Sequence, residues 1–420
     1  MFRKPILTLG LVVAFLASSL LGAPVWAQSS KSAKPDPKKT GPTGPQVYTS
    51  ANFVVTTDVG PEAAEELLLR LETMVKLVSG YFGKKNTHPI KMYVAENIDA
   101  WPEETLAKLD PQGIVKIRRK EGVTLSVSFR STATGRPVAA DSIVYSYADP
   151  GVPQHEAVHA YCAQAFGTTG PVWYSEGMAE VGQYWREGDK SVNANPYVIE
   201  HLKKGEPKPI KEIVDNPLET TGDSWENYAS RWALCHLLGF NENYTQRFKP
   251  LGLALLNEQR DASFWGVYGT QAKEIDFEYR LFLKDLETGY RVDLCSWDWK
   301  ARGKPLKGTT LVKAQVKADR GWQPSRIRVD SGTDYELTYK GDWKVTKDGE
   351  KVGPAGDADG KGKLLGILFK DYQLSEPFEI GDAETWTAPG DGDLFIRCQD
   401  GWGALSDNSG SVTVSFRLKK

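Results

Sequence analysis

The chain has 420 residues, with 52 Lys and Arg against 54 Asp and Glu and a formal charge of −2. That length allows two or three domains, each with a well-buried core. Acidic and basic residues are interspersed and no basic stripe is present, which argues against a nucleic-acid partner.

Residues 1–27 combine Arg3 and Lys4, an apolar run from Ile6 to Leu21, and the ending Val25-Trp26-Ala27. This is the pattern of a cleavable signal peptide, with cleavage expected after Ala27. No cysteine follows the run, so no lipid anchor is expected, and no later stretch is apolar enough to span a bilayer. The expected location is secreted or periplasmic, at the cell envelope. The cysteines are Cys162, Cys235, Cys295 and Cys398, an even number that permits disulfides in an oxidising compartment without fixing their pairing.

Residues 28–46 are rich in Pro, Lys and Gly and read as a flexible linker. Order is expected from Val47, with a strand over Asn52 to Thr57. A helix follows from Pro61 to Gly80, with Ala64, Leu67, Leu68, Leu71, Val75 and Val78 at helical spacing. Strands are expected over Ile90 to Ala95, Val123 to Phe129 and Ser142 to Ser146, from their period-two alternation. A small sheet followed by helices is an α+β arrangement.

The next stretch, Pro153 to Gly167, carries His155-Glu156-Ala157-Val158-His159. On a helix, residues four apart share a face, so His155 and His159 aim at one point with Glu156 beside it. Neutral imidazoles are good zinc ligands, and a catalytic zinc takes a third protein ligand while leaving one position for water. The following helical segment, Val172 to Trp185, offers Glu176 as that ligand. Glu180, one turn on, is placed to orient a ligand histidine from its outer nitrogen. Cys162 reads as a small buried thiol or half of a disulfide rather than a fourth ligand. Further helices are expected from Ser224, as a cap, to Gly239, and from Gln271 to Leu286. Tyr228, Tyr174 and His236 are candidates to stabilise an oxyanion, Tyr228 foremost; otherwise they are packed side chains with satisfied polar atoms.

His-Glu-x-x-His followed by Pro171-Val-Trp173-Tyr-Ser-Glu176-Gly177-Met-Ala179-Glu180 resembles the gluzincin metallopeptidases of the bacterial peptidase-MA-like group, over residues 47–294. The resemblance implies an α+β gluzincin-like domain with zinc on His155, His159 and Glu176, Glu156 as general base and Glu180 behind the ligands. It also implies a peptide or protein substrate lying along a sheet edge that flanks the cleft.

After a connector at 295–311, residues 312–420 turn to short alternating strands with Gly and Asp turns, an all-β sandwich. Asp400, the carbonyl of Ala404, Asp407 and Asn408 lie on one glycine-bent loop and suit a hard cation such as calcium. That loop, with Gly321-Trp322, Gly341-Asp-Trp343, Gly353-Pro-Ala-Gly356 and Leu364-Leu-Gly366, resembles the bacterial calcium-dependent galactose-binding lectins. The resemblance implies those four calcium ligands and a glycan partner. The segment between Gly356 and Leu364 departs from the pattern, lacking the His and Gln that contact sugar in those lectins.

Two functions follow from the sequence. One is an exported zinc peptidase whose β domain holds it near its substrate; the other is a secreted carbohydrate- or surface-binding protein whose metallopeptidase-like domain is inactive.

Overall fold

The computed structural model describes residues 44–133, 135–215 and 224–419. The signal-peptide assignment and nearly all of the linker lie outside the described residues. By compactness the chain divides into two units. One contains residues up to 189, 208–236 and 247–267; the other contains 190–207, 237–246 and 268–420. Residues 190–207, 237–246 and 268–294, read from the sequence with the first region, thus cluster with the strand-rich C-terminal part.

The first unit begins with β1 (Gln46–Thr49) and β2 (Phe53–Thr57), then α1 (Pro61–Phe82) and β3 (Ile90–Ala95). The stripe Leu67, Leu71, Met74, Val75 and Val78 of α1 is buried, as the spacing requires. After α2 (Glu103–Leu106) and α3 (Pro111–Arg118) come β4 (Gly122–Arg130) and β5 (Pro137–Tyr147). The five strands pair in the order β1-β2-β3-β5-β4. β2, β3 and β5 run parallel, while β1 and β4 are antiparallel to their neighbours. β4 is therefore an edge strand, its Gly122 facing Ser146 and its Thr124 facing Val144 of β5.

From β5 the chain turns through Asp149, whose carboxylate accepts from the Gly151 amide, into α4 (Val152–Phe166), and then α5 (Val172–Tyr184). Every residue of α4 is buried, the behaviour of a helix enclosed on all sides rather than of a surface helix. α5 packs closely on it because Gly182 has no side chain: a Cβ there would come within 2.4 Å of Val158 Cγ2. Among the described residues the further α-helices are α6 (Pro196–Lys204), α7 (Ile210–Asp215), α8 (Trp225–Phe240), α9 (Thr245–Leu256), α10 (Phe264–Tyr268) and α11 (Ala272–Lys284). The helix expected to stop at Gly239 runs one residue beyond it.

In the second unit the strands β6 (Lys304–Pro305) to β15 (Ser409–Leu418) form two facing sheets. One has the order β11-β10-β14-β8-β6, with β12 also on β10, and the other β13-β9-β15-β7. Between them lie Val316, Ile327, Trp343, Leu364, Ile396, Val412, Val414 and Phe416. β14 (Gly392–Cys398) is buried at every position. Leu394, Ile396 and Cys398 face the sandwich core, while Phe395 stacks on Trp297 at 4.0 Å beside Phe277 of α11.

That same side carries a buried carboxylate. Glu278 accepts hydrogen bonds from Asn241, Asn243, the Tyr244 hydroxyl, the Trp297 amide and the Trp299 indole. The α+β layout followed by a β-rich region is thus present. All four cysteines are free thiols, Cys162, Cys235 and Cys398 buried and Cys295 partly so. Among the described residues no helix is long and apolar enough to cross a membrane.

Candidate metal centre

The helical spacing on α4 brings His155 and His159 together as expected, with Nε2 atoms 3.1 Å apart. From α5, Glu176 Oε2 lies 3.3 Å from each of those nitrogens. Among the described residues this is the one cluster of at least three His, Cys, Asp or Glu side chains suited to a metal ion. His155 is fully buried, and Glu176 and His159 expose 3% and 6%, so solvent does not keep the three groups apart.

The donor set fits a divalent ion. Two ring nitrogens face each other with a carboxylate oxygen equidistant from both, and Glu176 Oε2 has no hydrogen bond of good geometry. Without a cation, at least one Nε2 must carry a proton to relieve the contact. Ligand atoms about 2.0–2.1 Å from a tetrahedral zinc sit roughly 3.3 Å from one another, which is the spacing these three atoms already have.

Both rings are held from behind. Glu180 Oε1 lies 3.0 Å from His155 Nδ1, approaching obliquely enough that Nδ1 makes no well-formed hydrogen bond. Ser175 Oγ lies 3.2 Å from His159 Nδ1. With a carboxylate beside one Nδ1 and at the other a hydroxyl that can accept, protons on Nδ1 would leave each Nε2 lone pair for a cation. Glu180 was legible from its helical spacing. Ser175 was not, because a serine inside a helix carries no spacing signal of its own.

Electrostatics follow the geometry. Burial drives the Glu176 carboxyl upward, but His159 and His155 outweigh it and hold it well below the usual carboxylate range. Burial pushes the His155 imidazolium down, while Glu176 and Glu180 more than compensate and hold its pKa well above the ordinary value. Burial raises Glu156, against the pull of His155, His159 and Thr124. Glu156 is fully buried, with Oε1 lacking a hydrogen-bond partner.

Tyr228 of α8 sits beside the cluster, its ring centroid 6.0 Å from that of His155 and its buried hydroxyl without a hydrogen-bond partner. Tyr174 instead packs between Trp173 and Phe248, with its hydroxyl against Gly252, and His236 lies against Trp232.

The loop proposed for calcium joins β14 to β15 and contains a single turn over Leu405–Asp407. Asp400 Oδ1 accepts from the Gly401 amide, and Asn408 Nδ2 donates to the Ala318 carbonyl. The other oxygens, Asp400 Oδ2 and Asn408 Oδ1, are buried without partners. Buried orphan oxygens are what a hard cation satisfies. Asp407 and Ala404 are exposed, and the Ala404 carbonyl accepts only a long 3.4 Å bond from the Asp407 amide.

No family model matches the chain, and no curated protein matches it. Among solved structures, the chain is similar to one described as "EclA N-terminal domain; PllA-like lectin", at 16% identity and a TM-score of 0.22. The match covers 26% of this chain and 95% of that one.

Proposed function

We propose that the protein is an exported zinc-dependent peptidase of gluzincin type. The observation that carries this reading is the convergence of His155 Nε2, His159 Nε2 and Glu176 Oε2 at 3.1–3.3 Å in a buried site, with a second, unpartnered carboxylate oxygen on Glu156. A zinc ion bound there would acidify a water toward neutral pH and polarise a carbonyl.

The chain's own residues supply the rest. Glu156 takes a proton from the attacking water and returns it to the leaving amine, the two halves of general base and general acid work. Its burial, which raises its pKa, brings it nearer the range in which it can do both at neutral pH. Glu180 and Ser175 fix the two imidazoles. Tyr228, with a buried hydroxyl free to donate, is the candidate to stabilise the oxyanion that forms on the substrate carbonyl. β4, an edge strand beside α4, is the surface along which an extended peptide can add.

In the second unit, Asp400, Asn408, Asp407 and the Ala404 carbonyl would hold calcium, supported by the two orphan oxygens on the loop. Glycan retention through that region would raise the peptidase's effective concentration at an envelope substrate. A glycan array probed with and without calcium checks this layer; retention lost on chelation supports it, and a blank array removes it without touching the peptidase.

The test of the main reading is Glu156→Gln. Zinc content should stay at one per chain while cleavage of a peptide library is lost. Equal cleavage by both proteins would remove the mechanism.

A further inference from the structure

Thr124 of β4, more than thirty residues before the motif in sequence, reaches Glu156 from outside the centre. Thr124 Oγ1 lies 2.8 Å from Glu156 Oε2 and also 2.8 Å from the Glu156 backbone carbonyl. Two residues earlier, on the same face of the strand, Gly122 leaves the space that the Glu156 side chain fills. A Cβ at Gly122 would come within 2.6 Å of Glu156 Cγ and 2.8 Å of its Oε1. Thr124 is 7% exposed and Glu156 fully buried, so water does not compete for these contacts.

We propose that Gly122 and Thr124 of β4 form the seat of Glu156, and that Thr124 is the positioning residue that selects which carboxylate oxygen reacts. The inference rests on the peptidase reading for its catalytic consequence, and on geometry alone for its structural one. Thr124 has one hydroxyl proton, shared between Oε2 and the Glu156 carbonyl at equal distance, and Oε2 is the carboxylate oxygen it holds. Oε1, which has no hydrogen-bond partner, is left as the oxygen that accepts and returns the proton. With Oε2 held by Thr124 and Oε1 seated over Gly122, rotation of the carboxylate about its last bond is restrained. Holding a reacting group in one orientation is worth a large factor in rate, and a shift of the order of 1 Å costs about a hundredfold. β4 thus has two sides: no described strand pairs with its outer edge, and its inner face holds Glu156.

The experiment compares the zinc-loaded full chain with its Thr124→Val and Thr124→Ser variants. Each is crystallised to see the Glu156 conformer, and each is assayed on a peptide that the unmodified chain cleaves. Thr124→Val keeps the shape and removes the donor. It should retain one zinc per chain, spread Glu156 over more than one conformer, and lower kcat roughly ten- to a hundredfold with KM little changed. Thr124→Ser should restore the single conformer and most of kcat, which a merely structural role for the methyl group would not do. The inference is overturned if Thr124→Val keeps Glu156 in one unchanged conformer at full kcat, or if Thr124→Ser is as impaired as Thr124→Val. Should the unmodified chain hold zinc and cleave no peptide, the peptidase reading falls, and the conformers still decide whether Thr124 positions Glu156.

Discussion

Glu176 and Glu278 are both helical carboxylates with 3% of their surface exposed, and they sit in opposite chemical situations. Glu278 is ringed by neutral donors from two asparagines, a tyrosine, a tryptophan indole and a backbone amide. Each of its oxygens is satisfied, and the group has no further business with solvent or ligand. Around Glu176, two neutral imidazole nitrogens would face the carboxylate as three acceptors, and several buried polar atoms, Glu156 Oε1 and Tyr228 OH included, lack partners. Burial alone does not mark a functional carboxylate; an imbalance of donors and acceptors that a cation would correct does. Folded proteins leave few buried polar groups unmatched, so a concentration of them at one point is informative.

Substitutions at the two carboxylates should therefore fail differently. Removing a ligand with Glu176→Ala should abolish stoichiometric zinc and reduce turnover to background, while the fold persists; zinc content by mass spectrometry together with circular dichroism checks both parts. Glu156→Gln should keep zinc and lower kcat by about a hundredfold to ten-thousandfold. Glu278→Ala strands several buried donors at once and should destabilise the protein by about 3 kcal/mol or more, with zinc content unchanged, as read by denaturant unfolding. A Glu278→Ala protein of unaltered stability would show that the donors around Glu278 do not hold the fold as those bonds imply.

Smaller effects sharpen it. Glu180→Gln should weaken zinc binding by roughly ten- to a hundredfold, because the ring it orients is a ligand. Zinc binding should also release protons near neutral pH. His155 in the metal-free site is held protonated to well above its ordinary pKa by Glu176 and Glu180, and only the neutral imidazole binds metal. Lowering the pH through and below that raised pKa adds a proton that zinc must displace, so apparent affinity falls as pH falls. Calorimetry in buffers of different ionisation enthalpy measures the release, and an affinity flat between pH 5 and 8 would contradict it.

How much of this was legible beforehand depends on the range of each contact. His155 and His159 are one helical turn apart on α4, and Glu176 and Glu180 repeat that spacing on the next helix, so local periodicity suffices. Thr124 and Gly122 are not legible, since the alternation over Val123 to Phe129 identifies a strand but not the helix its inner face meets. Gly239 reads as a helix end, yet α8 continues to Phe240 because Gly239 does not take the left-handed conformation that closes a helix. In the second unit, alternation locates most strands. β14 instead shows the continuous apolar run Leu394-Phe395-Ile396 because it is covered on both faces, as such runs imply.

The central claim is that one divalent ion belongs among three side chains of α4 and α5. Anomalous diffraction at the zinc edge from crystals of the protein tests it most directly. The expected result is a single strong peak within about 2.0–2.2 Å of His155 Nε2, His159 Nε2 and Glu176 Oε2. A zinc-supplied crystal with no peak there, and with the two imidazoles instead hydrogen-bonded to each other and to Glu176, would contradict it.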